Sequence, residues 1–298
     1  MNKKSKEHHI DHRHYDNLLT EGRRVLWNDP VWRQGPERAR AVASEAIDIF
    51  LECTDSLQVP YMEIGSGPYS PLGVSTVMYL NGVESTLALD ITKADFQRSA
   101  EALYDLLASC ALEPEKWNMS GKSNEEFMQR IRLFDIQALK NGDLLTGVKN
   151  TDLHYVLGSL ENMPLANEQV SLVSSRATLE HILNFQQGMK ELFRVMRHGG
   201  VAFHSVDLVD HRVYREPDKY NMWSFLTEET NPINTWCNRL RADEILKIAE
   251  KAGFETHIVK TGKNEIPIDI LNNLHPRYAK MDIEDLKTTN LVCVFYKK

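Results

Sequence analysis

The run Tyr61-Met62-Glu63-Ile64-Gly65-Ser66-Gly67-Pro68, followed about twenty residues later by Leu87-Ala88-Leu89-Asp90, constrains this chain more than any other feature. It reads as a strand, a tight turn and a second strand ending in an acid, the opening of a nucleotide-binding α/β unit. Glycines at alternate positions let the chain turn sharply and leave backbone that no Cβ shields from a ligand. Asp90, at the tip of the second strand with Ile91 beside it, is placed to accept hydrogen bonds from two ribose hydroxyls. A Gly-x-Gly alone marks any tight turn. The acid downstream is what points to an adenosine-containing cofactor.

The residues around the glycines distinguish between cofactors. A dinucleotide site wants a third glycine three positions on and free N–H groups at a helix start to hold a pyrophosphate. Here those positions hold Ser70 and, directly after Gly67, Pro68, which has no N–H to offer. Glu63 adds a negative charge that repels phosphate and suits an ammonium or a water network. The combination favours S-adenosylmethionine (SAM) over a nicotinamide dinucleotide.

Further along lie Gly158-Ser159-Leu160-Glu161-Asn162-Met163-Pro164-Leu165, then Ser175-Arg176-Ala177-Thr178-Leu179-Glu180-His181, then Leu192-Phe193-Arg194-Val195-Met196-Arg197-His198-Gly199-Gly200. Together with Glu-x-Gly-x-Gly at 63–67 and Asp90, their order and spacing over roughly residues 60–260 resemble the motifs of class I SAM-dependent methyltransferases. The resemblance implies a Rossmann-like fold, and a SAM site drawn from Glu63, Gly65, Ser66, Gly67, Asp90, Ile91, Ser159, Leu160, Ser175 and Arg176. One departure stands out. Where the family places an acid for the adenine amino group, this chain has Ser159, which hydrogen-bonds without a charge. Leu160 and Met163 are candidates to pack on the ring or to be core residues.

In an open α/β sheet, ligands sit over the carboxyl ends of strands where the connections switch sides. That places Ser175, Arg176 and Ala177, after the strand Val170–Ser175, beside the methionine end of SAM, with His181 close to the reaction. His181 is read either as a general base, its ordinary pKa lying near neutrality, or as a partner of Glu180 in holding local structure. The strand Val201–Val206 delivers Asp207, Asp210 and His211 into a loop. With His211 as base and Asp207 orienting it, this cluster suits an acceptor hydroxyl; structural hydrogen bonding is the competing reading. A divalent cation held through mixed N/O ligands is the lesser reading, because alternation along the strand puts His204 on the opposite face from Asp207, and no metal site is assigned.

The 298 residues, 42% hydrophobic and 26% charged, suffice for one large domain with appendages. The formal net charge of −7 disfavours nucleic acid and anionic membranes as partners and leaves a small-molecule acceptor. Cys53, Cys110, Cys237 and Cys293 lie far apart without paired metal spacing, which reads as thiols in a reducing, cytoplasmic setting. The start of the chain, with His8, His9, His12 and His14, has no apolar signal-peptide core, and no span is long enough to cross a bilayer.

Spacing predicts a helix after Pro36 with Ala39, Val42, Ala43, Ala46, Ile47, Phe50 and Leu51 on one face, and another from Phe96 to Leu112. Strand three is expected near His154–Leu157, a helix over Gln186–Met196, and closing strands at His257–Thr261 and Leu291–Tyr296 with a helix near Arg277–Leu286 between them. More than sixty residues separate Asp90 from the third strand, where about thirty would serve one crossover. Residues 113–150 are therefore read as an ordered helical insertion near the active-site mouth, with simple edge packing as the alternative. Residues 212–236, with Tyr214, Tyr220, Trp223, Phe225 and Trp236, are read as an aromatic acceptor loop or a satellite core. Arg239 and Arg241 are candidates for an acidic acceptor or for surface salt bridges.

The expected architecture is an α/β, Rossmann-like, seven-stranded, mostly parallel sheet with helices on both faces. A helical cover (1–58) precedes a domain (59–298) carrying insertions at about 113–150 and 212–236. The implied function is SAM-dependent methyl transfer to a small molecule, foremost to a hydroxyl of a sugar or other polar metabolite. An N- or C-methyltransferase on the same fold and a non-catalytic SAM-binding protein are the alternatives.

Overall fold

The computed structural model describes residues 35–68, 70–229 and 237–298. The His-rich start, most of the expected cover before Gly35, and Trp236 lie outside the described residues. The helices are α1 (Pro36–Cys53), α2 (Gly73–Leu80), α3 (Phe96–Leu112), α4 (Pro114–Trp117), α5 (Asn124–Ile131), α6 (Ile136–Lys140), α7 (Leu144–Gly147), α8 (Phe185–Val195), α9 (Ala242–Ala252), α10 (Ile268–Leu271) and α11 (Ile283–Leu286). The strands are β1 (Tyr61–Ile64), β2 (Thr86–Asp90), β3 (Leu153–Leu157), β4 (Val170–Arg176), β5 (Met196–Asp207), β6 (Glu255–Lys263) and β7 (Thr288–Lys297). No described helix is long and apolar enough to cross a membrane.

The strands form one sheet in the order β3-β2-β1-β4-β5-β7-β6. The first five are parallel, and β7 runs antiparallel to both β5 and β6, which is the closing hairpin expected from the resemblance. Strand alternation builds a core on each face. Tyr61, Ala88, Leu153, Leu172 and Phe203 face α1, α2 and α3; Met62, Leu89, Val173, Ala202 and Phe295 face α8 and α9.

Local sequence accounts for the helix limits. Pro36 opens α1, whose Ala39, Ala43, Ala46, Ile47 and Phe50 are buried. Asp95 caps α3 by accepting from the Arg98 N–H at 3.2 Å. Gly253, at φ 113°, stops α9. Two limits differ from expectation. β5 begins at Met196, because Met196 already pairs with Val170 before a register break brings Val201 opposite Leu172. The helix expected near Arg277–Leu286 is broken into a 3-10 turn at Tyr278–Lys280 and the single turn α11, whose cap Asp282 accepts from the Glu284 N–H.

The insertion at 113–150 is helical, but its first half lies away from the active-site mouth. The buried Asn81 at the carboxyl end of α2 donates to the Trp117 carbonyl and accepts from the Met119 and Ser120 N–H groups. Arg130 donates to the carbonyls of Tyr79 and Val83. Residues 114–131 are thus fastened where α2 turns into β2, at the amino ends of the strands, because that helix end presents carbonyls and an amide to satisfy. In the second insertion, Trp223 and Phe225 pack with Ile266, Ile270, Tyr278 and Leu286 in a satellite core, leaving Tyr214 as the half-exposed ring on the site side.

Candidate functional site

The connections run outward in opposite directions from β1 and β4, so the switch point of this sheet lies at the carboxyl ends of those two strands. Gly65 and Gly67 follow β1 there at φ 78° and 79°, a region that residues with a Cβ adopt only at a cost. The Gly65 N–H donates to the Leu89 carbonyl at 2.8 Å, which holds the turn against β2. Thr178, leaving β4, donates to the carbonyls of Ile64 and Arg176 and covers Gly65 so closely that a Cβ at Gly65 would overlap its hydroxyl. Ala177, just before it, has φ 48°, strained backbone at the same mouth.

Asp90 ends β2 with its carboxylate turned into this turn. One oxygen accepts from the Gly67 N–H and the other from the Thr92 N–H, each at 2.7 Å. Each oxygen keeps a further lone pair, the capacity two ribose hydroxyls need. Glu63, on the α2 side of β1, accepts from the Ser75 hydroxyl at 3.2 Å. Burial pushes its carboxyl up to about 8, with Asp90 adding to the rise and Ser75 and Arg38 opposing it. Ile91 is partly exposed beside Asp90, and Ser66 is buried within the turn. On the far side of β2, Ser159 accepts from the Glu161 N–H, and Leu160 is buried in the core beneath α8. A buried acid, two positive-φ glycines and a strand-end carboxylate fit the adenosyl and aminoacyl parts of SAM.

Two expected cofactor residues turn elsewhere. The Ser175 hydroxyl points into the core and bonds His204 Nδ1 at 2.8 Å; alternation along β4 dictates this, so at most its backbone faces the cleft. Burial lowers that imidazole to about 3, so His204 is neutral. Arg176 pairs with Glu45 of α1 at 2.7 Å, and Glu45 also binds Lys260 of β6 at 2.9 Å.

His181, Asp207 and His211 do converge. The rings of His181 and His211 stand 5.0 Å apart, edge to face. Asp207 Oδ2 lies 3.4 Å from His211 Nε2 and accepts from the Tyr214 hydroxyl at 2.7 Å. Burial pushes the Asp207 carboxyl up, but the His211 and Tyr214 hydrogen bonds and the His211 charge outweigh it and leave it below its ordinary value. His204 stays beneath the sheet, as alternation requires. Asp210 is not part of this group: it is buried in ion pairs with Arg212 and Arg239.

Arg239 and Arg241 correct the reading of them as acceptor-binding or surface residues. Both are buried. Besides Asp210, Arg239 donates to the Val209 carbonyl, while Arg241 donates to the carbonyls of Leu208, Asp285, Leu286 and Thr288. Their fork of donors satisfies backbone that no strand or helix pairs.

Cys237 enters the site unannounced by spacing, and Glu180 and Tyr214 enter it in roles other than those expected of them. Cys237 Sγ lies 3.9 Å from His181 Nδ1. Its neighbour Asn238 explains why: the Asn238 side chain donates to the carbonyls of Leu179 and Ile182, and its N–H to that of Glu180. Glu180 itself is buried with neither carboxylate oxygen hydrogen-bonded. Burial, with Asp207 nearby, pushes its carboxyl well up. Tyr214 completes the group through Asp207. The separation of 179–181, 207–214 and 237 along the chain hides this cluster from local pattern.

A family profile described as "Methyltransferase domain" matches residues 133–204, from before α6 to the middle of β5. That stretch is similar to a methyltransferase domain. A protein of Mycolicibacterium smegmatis named "Probable S-adenosylmethionine-dependent methyltransferase" is 31% identical over 99 residues, 33% of this chain and 34% of that protein. The match therefore spans about a third of that relative's length. Both matches are to methyltransferases. Among solved structures, the YcgJ protein of Bacillus subtilis aligns with a TM-score of 0.46 at 10% identity, covering 85% of this chain and 98% of that one. A SAM-dependent methyltransferase of Mesorhizobium loti aligns at 0.45 and 12%, covering 85% and 97%. The profile spans the stretch that holds Ser159, Leu160, Ser175, Arg176 and His181; the turn at Gly65 and Asp90 precedes it.

Proposed function

We propose that this methyltransferase transfers a methyl group from SAM to an oxygen of a small polar acceptor, a hydroxyl such as those of a sugar. SAM, bound at the turn between β1 and β2, supplies a methyl group on a sulfonium. Asp90 holds the ribose, Gly65, Ser66 and Gly67 give close backbone approach, and Glu63 offers a buried, neutral carboxyl as a hydrogen-bonding group toward the methionine end. Ile91 and Ser159 flank the adenine side, with Ser159 hydrogen-bonding where family members carry an acid, while the Leu160 side chain supports that turn from the core. Ser175 and Arg176 contribute position through their backbone.

The observation that carries the oxygen acceptor is the Asp207–His211 pair, with Tyr214 on the same carboxylate, beside His181 at the strand ends. A hydroxyl must lose its proton as it is methylated, whereas a neutral amine attacks with a free lone pair. His211 is placed to take that proton, with Asp207 beside its Nε2 to orient the ring. His181 borders the same space. Holding donor and acceptor in line removes much of the entropic cost of encounter. The net negative charge is in keeping with an acceptor that is not a nucleic acid, and the thiol cysteines with a cytoplasmic setting.

Calorimetric titration with SAM, S-adenosylhomocysteine and NADH tests the cofactor, the first two binding and the third not. A screen of hydroxylated metabolites then tests the acceptor. His211→Ala should retain SAM affinity and lose turnover by a hundredfold or so; full turnover in that variant removes His211 from the mechanism.

A further inference from the structure

We propose that His181, His211 and Cys237 form a binding site for one divalent transition-metal ion of the zinc type. One ligand atom from each of the three side chains lies within 4.8 Å of the other two. Tetrahedral zinc, with bonds of about 2.0–2.3 Å, brings its ligand atoms to roughly 3.3–3.7 Å from one another. The 3.9 Å between Cys237 Sγ and His181 Nδ1 is already close to that, and the remaining contraction is within reach of side-chain rotation.

Four independent features support the assignment. Two imidazoles and a thiolate are a soft, mixed donor set, which suits zinc and its neighbours and not magnesium or calcium. Asp207 stands on His211 Nε2 at 3.4 Å, the outer carboxylate that orients a ligating imidazole and leaves Nδ1 for the ion. The three segments are stitched together independently of any ion: Asn238 binds the 179–182 turn, and Arg239 ties the 209–210 backbone and carboxylate to the same strand of chain. Finally, Glu180 and Asp207 bring two carboxylates into one half-enclosed cluster with the thiol, and neither Glu180 oxygen has a hydrogen-bond partner. The Asp207 carboxylate this close favours a cation at the three ligands.

Three protein ligands leave a fourth tetrahedral position for an oxygen from outside, the pattern of a working zinc and not of a closed structural one. The inference rests on the reading of this cluster as the acceptor side, and it refines that reading. His211 then serves as a ligand with Asp207 as its outer partner, in place of the base role, and the ion lowers the pKa of the bound acceptor hydroxyl so that its proton passes to water before methylation.

The test uses full-length protein in which His8, His9, His12 and His14 are changed to alanine, so that the start of the chain does not bind metal. The protein is stripped with a chelator and titrated with Co²⁺, followed by absorbance. One equivalent should bind with a thiolate-to-cobalt charge-transfer band and the visible absorption of tetrahedral cobalt, and Zn²⁺ should displace it. Cys237→Ser should abolish the charge-transfer band, and His211→Ala should weaken binding tenfold or more. No saturable band, or a band unchanged in Cys237→Ser, overturns the proposal. S-adenosylhomocysteine binding, measured on every sample, establishes that each variant is folded. Protein that binds S-adenosylhomocysteine without cobalt refutes the metal site alone, and protein that binds cobalt without S-adenosylhomocysteine refutes the cofactor reading alone.

Discussion

Replacing Glu63 with glutamine should make the protein more stable at alkaline pH and leave it little changed in acid. The carboxyl is buried under α2 with one side-chain hydrogen bond, from Ser75, and burial raises it from 4.5 to about 8 in the folded state. Below its unfolded value the group is protonated whether the chain is folded or not, and it costs nothing. Between 4.5 and about 8 the folded state holds a proton that the unfolded state has released, so stability falls as pH rises through this window and levels off above it. At about 1.4 kcal/mol per pH unit, the span sets a ceiling of ~5 kcal/mol, which local relaxation will reduce. Glutamine keeps the shape and a carbonyl for Ser75 while removing the charge. Denaturant unfolding of both proteins from about pH 5 to pH 9 measures the difference. The variant should gain steadily on the parent up to about pH 8 and run parallel beyond. A difference that is flat across the range, or that grows toward acid, refutes the assignment of Glu63 as a buried, neutral acid.

Three other outcomes follow from the geometry. Asp90→Ala removes charged hydrogen bonds worth roughly 1.5–3 kcal/mol and frees the Gly67 and Thr92 N–H groups, so SAM affinity in calorimetry should fall about tenfold to a hundredfold; unchanged affinity would dismiss the ribose role. Gly65→Ala should lower stability by roughly 2–4 kcal/mol through positive φ and overlap with Thr178, and adding Thr178→Ala should recover most of the overlap part in a double-mutant cycle, leaving the φ cost and the 2.9 Å approach to the remaining Cβ. Arg239→Ala leaves Asp210 buried with Arg212 as its remaining ion-pair partner and should cost about 3–5 kcal/mol in denaturant unfolding; a loss under 1 kcal/mol would mean that Arg212 alone compensates the charge.

The sequence by itself determined the elements with strong local signals. The run from Tyr61 to Pro68 with Asp90 fixed β1, its turn and β2, because positive-φ glycines and a strand-end acid answer to local backbone demands. Helices α1 and α3 were legible from apolar spacing and, for α1, Pro36, and the reversed strand pair at the end from its family likeness. Tertiary structure decided what lies between distant segments. The insertion at 114–131 went to the amino ends of the strands because Asn81 and Arg130 join it to the carboxyl end of α2, a choice that no local pattern in the insertion carries. Arg239 and Arg241 read as surface cations until the fold wrapped unpaired carbonyls around them. Ser175 turned away from the cleft through its place in the alternation of β4. The cluster of His181, His211, Cys237 and Glu180 draws on three stretches of chain brought together by Asn238 and Arg239. Its chemistry depends on distances between residues 26 to 56 positions apart in sequence, as from His181 to Cys237, and such distances exist only once the long-range hydrogen bonds have formed.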